Sequence, residues 1–275
     1  MIPLKDNIPT DRFPILTVLF IAINIAVFVW QTQYEPNREL KQAGFSGIDA
    51  SAIDYGAIPY RLTHPADQEC FLAAVPQRRA AEVACEGQPE LDEAPATLPL
   101  DQPAWWITVL TSMFMHGGIL HLAGNMLFLW IFGNNIEDSM GRLRFIAFYL
   151  LAGAVAVYAQ SLIDTSATVP TIGASGAVAG VLGGYALLHP HARVLTLVII
   201  IFFVTVIEVP AMLMLGLWFL LQFLPAVGQT ALTEVGEGGI AYFAHVGGFV
   251  FGLAAIKLFA NRHRDRSVEP PYPVY

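Results

Sequence analysis

The sequence predicts an all-α polytopic membrane protein: a bundle of six transmembrane helices with a long extracytoplasmic loop between the first two. Three observations lead there. The 275 residues are 55% hydrophobic and only 13% charged, against roughly 25% charged in a soluble domain, and mean hydropathy is +0.56. The apolar residues gather into runs close to the ~20 residues that cross about 30 Å of hydrocarbon. Lys and Arg then sort to one side of those runs.

The first run extends from Phe13 to about Trp30. Lys5 and Arg12 precede it, as in a signal peptide, but the flank Val29-Trp30-Gln31-Thr32-Gln33-Tyr34 lacks the small residues of a cleavage site, so an uncleaved span is expected. The second run covers about Met113 to Gly133, the third Leu143 to Ile163, and the fourth Ile172 to Leu188. Val194 to Ile207 is uncharged but only 14 residues long, and Glu208-Val209-Pro210 reads as a helix start. That segment is therefore expected to be interfacial or re-entrant, with span five from Val209 to about Val227 and span six from about Gly239 to Ala260.

With the N-terminus inside, Lys5, Arg12, Arg142, Arg144, Arg193, Arg262, Arg264 and Arg266 all fall on the cytoplasmic side. The short opposite loops carry neither Lys nor Arg. Arg38, Lys41, Arg61, Arg78 and Arg79 lie in the loop 34–105, too long to count in the positive-inside rule. The expected organisation is a cytoplasmic N-terminus (1–12), a six-span domain (13–260) and a cytoplasmic tail (261–275), in a cell inner membrane. Cys70 and Cys85 both sit in the long loop, on the oxidising side, and form either a disulfide or two free thiols. Two cysteines are too few for a disulfide scaffold. A net charge of −8 without a basic run excludes a nucleic-acid binder.

Polar side chains inside spans mark function by default, and four of them share one depth. His121 and Asn125 lie early in span two, Ser175 in the first turn of span four, and His245 in the second turn of span six. At 1.5 Å per residue each is on the order of 5–15 Å below the extracytoplasmic end of its helix. His121 and Asn125, four apart, share a face. Ser175 stands in Gly173-Ala174-Ser175-Gly176 at a helix start, where unpaired N–H groups suit a developing oxyanion. Packing the Gly176, Gly180, Gly184 face onto Gly248 and Gly252 would bring Ser175 to His245. Other chemistries lack their residues. There is no His-Glu-x-x-His, Glu208 is the only acid within the apolar regions, and no internal repeat marks a transporter. No metal or cofactor is expected.

These residues resemble the rhomboid family of intramembrane serine proteases, from Phe13 to Ala260. The resemblance rests on His116-Gly-Gly-Ile-Leu-His121-Leu-Ala-Gly-Asn125, Glu137-Asp-Ser-Met-Gly141-Arg142, Gly173-Ala-Ser175-Gly and Ala244-His245-Val-Gly-Gly248 with Gly252, in order. The long first loop and the Glu208-Val-Pro210 start of span five look like bacterial members. The resemblance implies Ser175 as nucleophile and His245 as general base, a dyad without an acid. His121, Asn125 and the Ser175 backbone N–H would form the oxyanion hole. It gives structural roles to His116, Glu137, Gly141 and Arg142, and packing roles to Gly248 and Gly252. It implies transmembrane protein substrates met in the bilayer and admitted past span five. Many members carry an aromatic residue four positions after the serine, stacked on the histidine; here that position is Ala179. The alternative is a catalytically silent rhomboid-like protein that binds membrane clients. Inactive relatives typically lose the serine or the histidine, and both remain here.

Overall fold

The computed structural model describes residues 2–65, 69–75, 80–94, 97–200, 202–231 and 241–261. In chain order the elements begin with β1 (Ile2–Asp6), α1 (Ile15–Gln33), α2 (Arg38–Gln42), α3 (Gly47–Tyr55) and α4 (Pro59–Thr63). Next come β2 (Cys70–Val75), β3 (Ala80–Cys85), α5 (Pro89–Glu93), β4 (Thr97–Pro99) and α6 (Trp105–Ser112). The remainder is α7 (Ile119–Met140), α8 (Arg142–Ile163), α9 (Ser175–Leu188), β5 (Arg193–Ile200), β6 (Phe203–Pro210), α10 (Ala211–Ala231) and α11 (Tyr242–Phe259). The chain is mostly helical. Among the described residues, α1, α7, α8 and α11 are long and apolar enough to cross a membrane, while Ser175–Leu188 and Ala211–Val227 are shorter apolar helices. This is a multi-pass membrane protein.

The helices start and stop for local reasons. Glu137 of α7 accepts hydrogen bonds from the Leu16 N–H (3.1 Å), the Thr17 N–H (2.8 Å) and the Thr17 hydroxyl (2.9 Å), capping the buried first turn of α1. Gly141, at φ +79°, turns the chain from α7 into α8 in a conformation that side chains disfavour. Ser46 and Asp49 form a reciprocal capping box at the start of α3. The bundle core is aromatic-rich, with Phe132, Phe145, Phe148, Tyr149 and Tyr185 all fully buried.

The expectation of an all-α chain needs correction, because two three-stranded sheets flank the helices. Residues 194–200 and 203–207, expected to be interfacial or re-entrant, pair as antiparallel β-strands, which the all-α expectation leaves out. β5 and β6 pair antiparallel from Arg193 opposite Pro210 to Ile200 opposite Phe203, and β1 pairs antiparallel with β5. The segment is dense in Val, Ile and Thr, which favour strands, and the third strand comes from nearly 190 residues away in sequence. Asp6, at the end of β1, is buried and accepts from the Asn135 amide and the Tyr185 hydroxyl, both at 2.6 Å. Burial pushes its carboxyl up to about 6, although the Tyr185 hydrogen bond and nearby Lys5 pull the other way.

The loop after α1 is also structured. It carries the sheet β3-β2-β4, in which Cys70 lies opposite Cys85 and the two sulfurs are bonded. Ala57 and Thr171 exchange backbone bonds (3.2 and 2.8 Å), and the Tyr60 N–H donates to the Ala167 carbonyl (2.9 Å). These contacts hold the segment leading into α9. Element ends shift relative to expectation. The second long helix begins at Ile119 rather than Met113, because α6 ends at Ser112 and a non-helical stretch intervenes. α9 begins at Ser175 rather than Ile172. Gly239 and the tail beyond Asn261 lie outside the described residues.

Candidate functional site

The site is set by how closely α9 and α11 can approach. Along α11, Gly248 faces the backbone of Gly176, and Gly252 faces Gly180 and Gly184, so that main chain meets main chain. Gly183 of α9 faces the Phe249 backbone in return. The expected α9 glycine face is shared, however. Gly176 and Gly180 also abut Ala156 and Ala152 of α8, so α9 is wedged between two neighbours.

That approach places His245 Nε2 2.8 Å from Ser175 Oγ. Ser175 opens α9, so its N–H is among those without an intrahelical partner. Gly173, at φ +129°, lies between the His121 ring and Ser175 Oγ. A Cβ there would stand 2.9 Å from His121 Nε2 and 3.4 Å from Ser175 Oγ, so only glycine leaves that passage open. The Gly117 N–H points to His121 Nδ1 at 3.4 Å, an arrangement that leaves the Nε2 side of the ring as donor. The buried Asn125 amide nitrogen has no hydrogen-bond partner, so a donor stands ready one turn from His121. A cavity of about 10 Å³ beside Ser175, lined by Ser112, Gly173, Gly176 and Ala244 among others, is at the limit of room for one water.

Two side chains at the site escape the sequence reading, both on α10. Gln222 Oε1 lies 2.7 Å from His245 Nδ1. The Trp218 ring lies 5.9 Å from the His245 ring, with planes 39° apart. The aromatic neighbour of His245 thus comes from α10, while Ala179 is wholly buried in the helix packing. Gln222 carries the same signal as Asn125, a polar amide inside an apolar run, and could have been found by it.

The remaining expected residues sit away from the Ser175–His245 pair. His116 is fully buried with its ring edge-on to His121 at 5.0 Å, and its backbone N–H donates to Gln31 Oε1 of α1 (2.9 Å). The bond reaching α1 is therefore made by main chain. Arg142 is exposed at the start of α8; the neighbouring Arg144 instead reaches the Phe259 carbonyl (3.2 Å) and Asn261 (2.8 Å). Cys70 and Cys85 belong to the loop sheet. Among the described residues no group of three His, Cys, Asp or Glu could hold a metal ion.

A multi-pass helical membrane protein with a serine hydroxyl held to an imidazole between two glycine-packed helices defines a class. Residues 103–262 match the family model described as Rhomboid domain, more than half of the chain. The chain belongs to the rhomboid family. It is similar to "Rhomboid protein 1, mitochondrial" of Saccharomyces cerevisiae, 33% identical over 152 residues, or 54% of this chain and 40% of that protein. It is 29% identical over 147 residues to "Presenilin-associated rhomboid-like protein, mitochondrial" of Mus musculus, covering 53% and 36%. It is 42% identical over 82 residues to "Rhomboid protease GluP" of Bacillus subtilis, covering 30% and 15%. The chain thus spans less than half the length of these curated relatives.

Proposed function

We propose that the chain is an intramembrane serine endopeptidase that cleaves transmembrane proteins near the extracytoplasmic face of the bilayer. The observation that carries this reading is the 2.8 Å approach of His245 Nε2 to Ser175 Oγ. Family membership and the protease named among its relatives support it. The proposed fold counts α1, α7, α8, α9, α10 and α11 as six spans within 13–260, with both ends cytoplasmic. The proposed location is a bacterial inner membrane. The mitochondrial names of two relatives weigh against that location, and fractionation of source cells decides it.

The chemistry follows from the contacts. His245 Nε2 takes the Ser175 hydroxyl proton as Oγ bonds to the scissile carbonyl carbon. The carbonyl oxygen becomes an oxyanion, for which the Asn125 amide, the His121 Nε2–H and the Ser175 N–H are the donors. His245 returns its proton to the departing amine as the C–N bond breaks. A water, deprotonated by His245, then releases the acyl group from Ser175.

The test is a fluorophosphonate probe, which bonds to an activated serine oxygen with loss of fluoride, applied to the full chain in detergent. Wild type should label at Ser175 and cut a model transmembrane substrate, while Ser175→Ala and His245→Ala should do neither. A folded wild type that neither labels nor cuts would overturn the proposal in favour of client binding without catalysis.

A further inference from the structure

His245 is held from both sides, and its second holder is not an acid. Nε2 faces Ser175 on α9, while Nδ1 faces Gln222 Oε1 at 2.7 Å on α10. Among the described residues no carboxylate is within hydrogen-bond reach of the ring. An imidazole that donates from Nδ1 to a carbonyl oxygen must carry its lone pair on Nε2, the form able to accept the serine proton. The opposite tautomer places a hydrogen on Nε2 and cannot. Where a carboxylate partner of a catalytic histidine is replaced by an amide that enforces the wrong tautomer, kcat falls about 10⁴-fold. Here the amide presents its oxygen, which selects the productive form.

We propose that Gln222 is a positioning residue for the reaction proposed above, fixing the tautomer and tilt of His245 with a neutral carbonyl from α10. The inference rests on the serine protease reading. As the proton leaves Ser175 Oγ for Nε2, positive charge develops on the ring, and the Gln222 carbonyl dipole stabilises it through the Nδ1–H. Trp218, one turn earlier on the same face of α10, limits the ring's swing. Three helices must therefore be seated together for the base to be ready. α10 is the most peripheral of them: Leu213, Leu217, Leu221 and Leu224 are all exposed, and it packs chiefly on α11.

The experiment compares Gln222→Ala, Gln222→Met and Gln222→Glu with wild type in the full chain, reading probe labelling rate, kcat and KM on a transmembrane substrate, and melting temperature. Labelling of wild type at Ser175 comes first; its absence would defeat the function and leave Gln222 out of the question. Given labelling, Ala and Met should lower kcat and labelling rate together by about 10–100-fold, with KM changed less than about threefold. Met fills the same space, so it carries the test if Ala unfolds. Glu, which can only accept once ionised, should recover activity to within about threefold of wild type between about pH 6 and pH 9. A Met variant that labels at the wild-type rate would overturn the proposal. So would a loss confined to KM, or a Glu variant as impaired as Met across that range.

Discussion

Replacing Gly248 with alanine tests whether helix approach, rather than residue identity alone, makes the site. The added Cβ would stand 3.0 Å from the Gly176 carbonyl carbon and 3.4 Å from the Ala179 Cβ, and nearer still to the Gly176 oxygen. Atoms in good contact sit about 3.5–4.0 Å apart, and the Gly176 oxygen is the closest neighbour, so α11 must withdraw from α9 by about 1 Å or more at this level. Gly176 directly follows Ser175, and Gly248 lies less than one turn from His245, so the withdrawal falls on their hydrogen bond. A contact of 2.8 Å would open to more than about 3.3 Å, past the usual hydrogen-bonding range. A misplacement near 1 Å costs about 100-fold in rate, and overpacking costs about 1–3 kcal/mol in stability. Gly248→Ala should therefore label with fluorophosphonate tens to about 100-fold more slowly and melt earlier. Gly216→Ala on α10, where an added Cβ meets nothing within 4 Å, is the control and should melt no earlier than wild type. Wild-type labelling and melting in Gly248→Ala would refute the claim that this glycine contact sets the geometry.

Further outcomes concern the parts that hold the site. Asp6 titrates near 3.8 when unfolded and about 6 when folded. The folded state thus favours the neutral acid, and its contribution is full below about pH 4 and lost as pH rises through 6. The shift corresponds to about 3 kcal/mol. As pH falls from 7 to 5, wild type should gain melting temperature relative to Asp6→Asn; pH curves of identical shape would contradict the buried-acid account. Glu137→Ala strands three donors at the start of α1 and should destabilise by roughly 3 kcal/mol in denaturant titration, with Glu137→Gln losing about half as much. Cys70 and Cys85 should resist alkylation until a reductant is added, and Cys70→Ser should weaken the loop sheet by about 3 kcal/mol, the value for closing a 15-residue loop. Alkylation of both cysteines without reductant would sink that last expectation.

The long helices were legible because crossing a bilayer leaves a signal in one dimension. The apolar runs around Phe20, Leu129 and Leu150 are local facts and need no partner to be recognised. The strand pairing within 194–207 was not legible for the opposite reason. A 14-residue apolar run has the same composition as a short helix or a hairpin, and what decides between them is Ile2–Asp6, far away in sequence. The structured loop after α1 was missed because its elements are only three to nine residues long, below what periodicity resolves.

The candidate site divides along the same line. Residue types, order and helical depth were written in the chain, so Ser175, His245, His121 and Asn125 could be picked out together, with the glycines that let helices touch. Azimuth was not. Gln222 marks one polar point on an otherwise apolar α10, but which side chain it meets depends on how that helix packs against α11. Only the packed bundle brings Gln222 and Trp218 onto His245 and sets Gly176 between α8 and α11. Span position and chemical inventory are properties of single segments, set by the hydrophobic effect acting on each helix. The orientation of the histidine is a property of three helices meeting, and it exists only once they do.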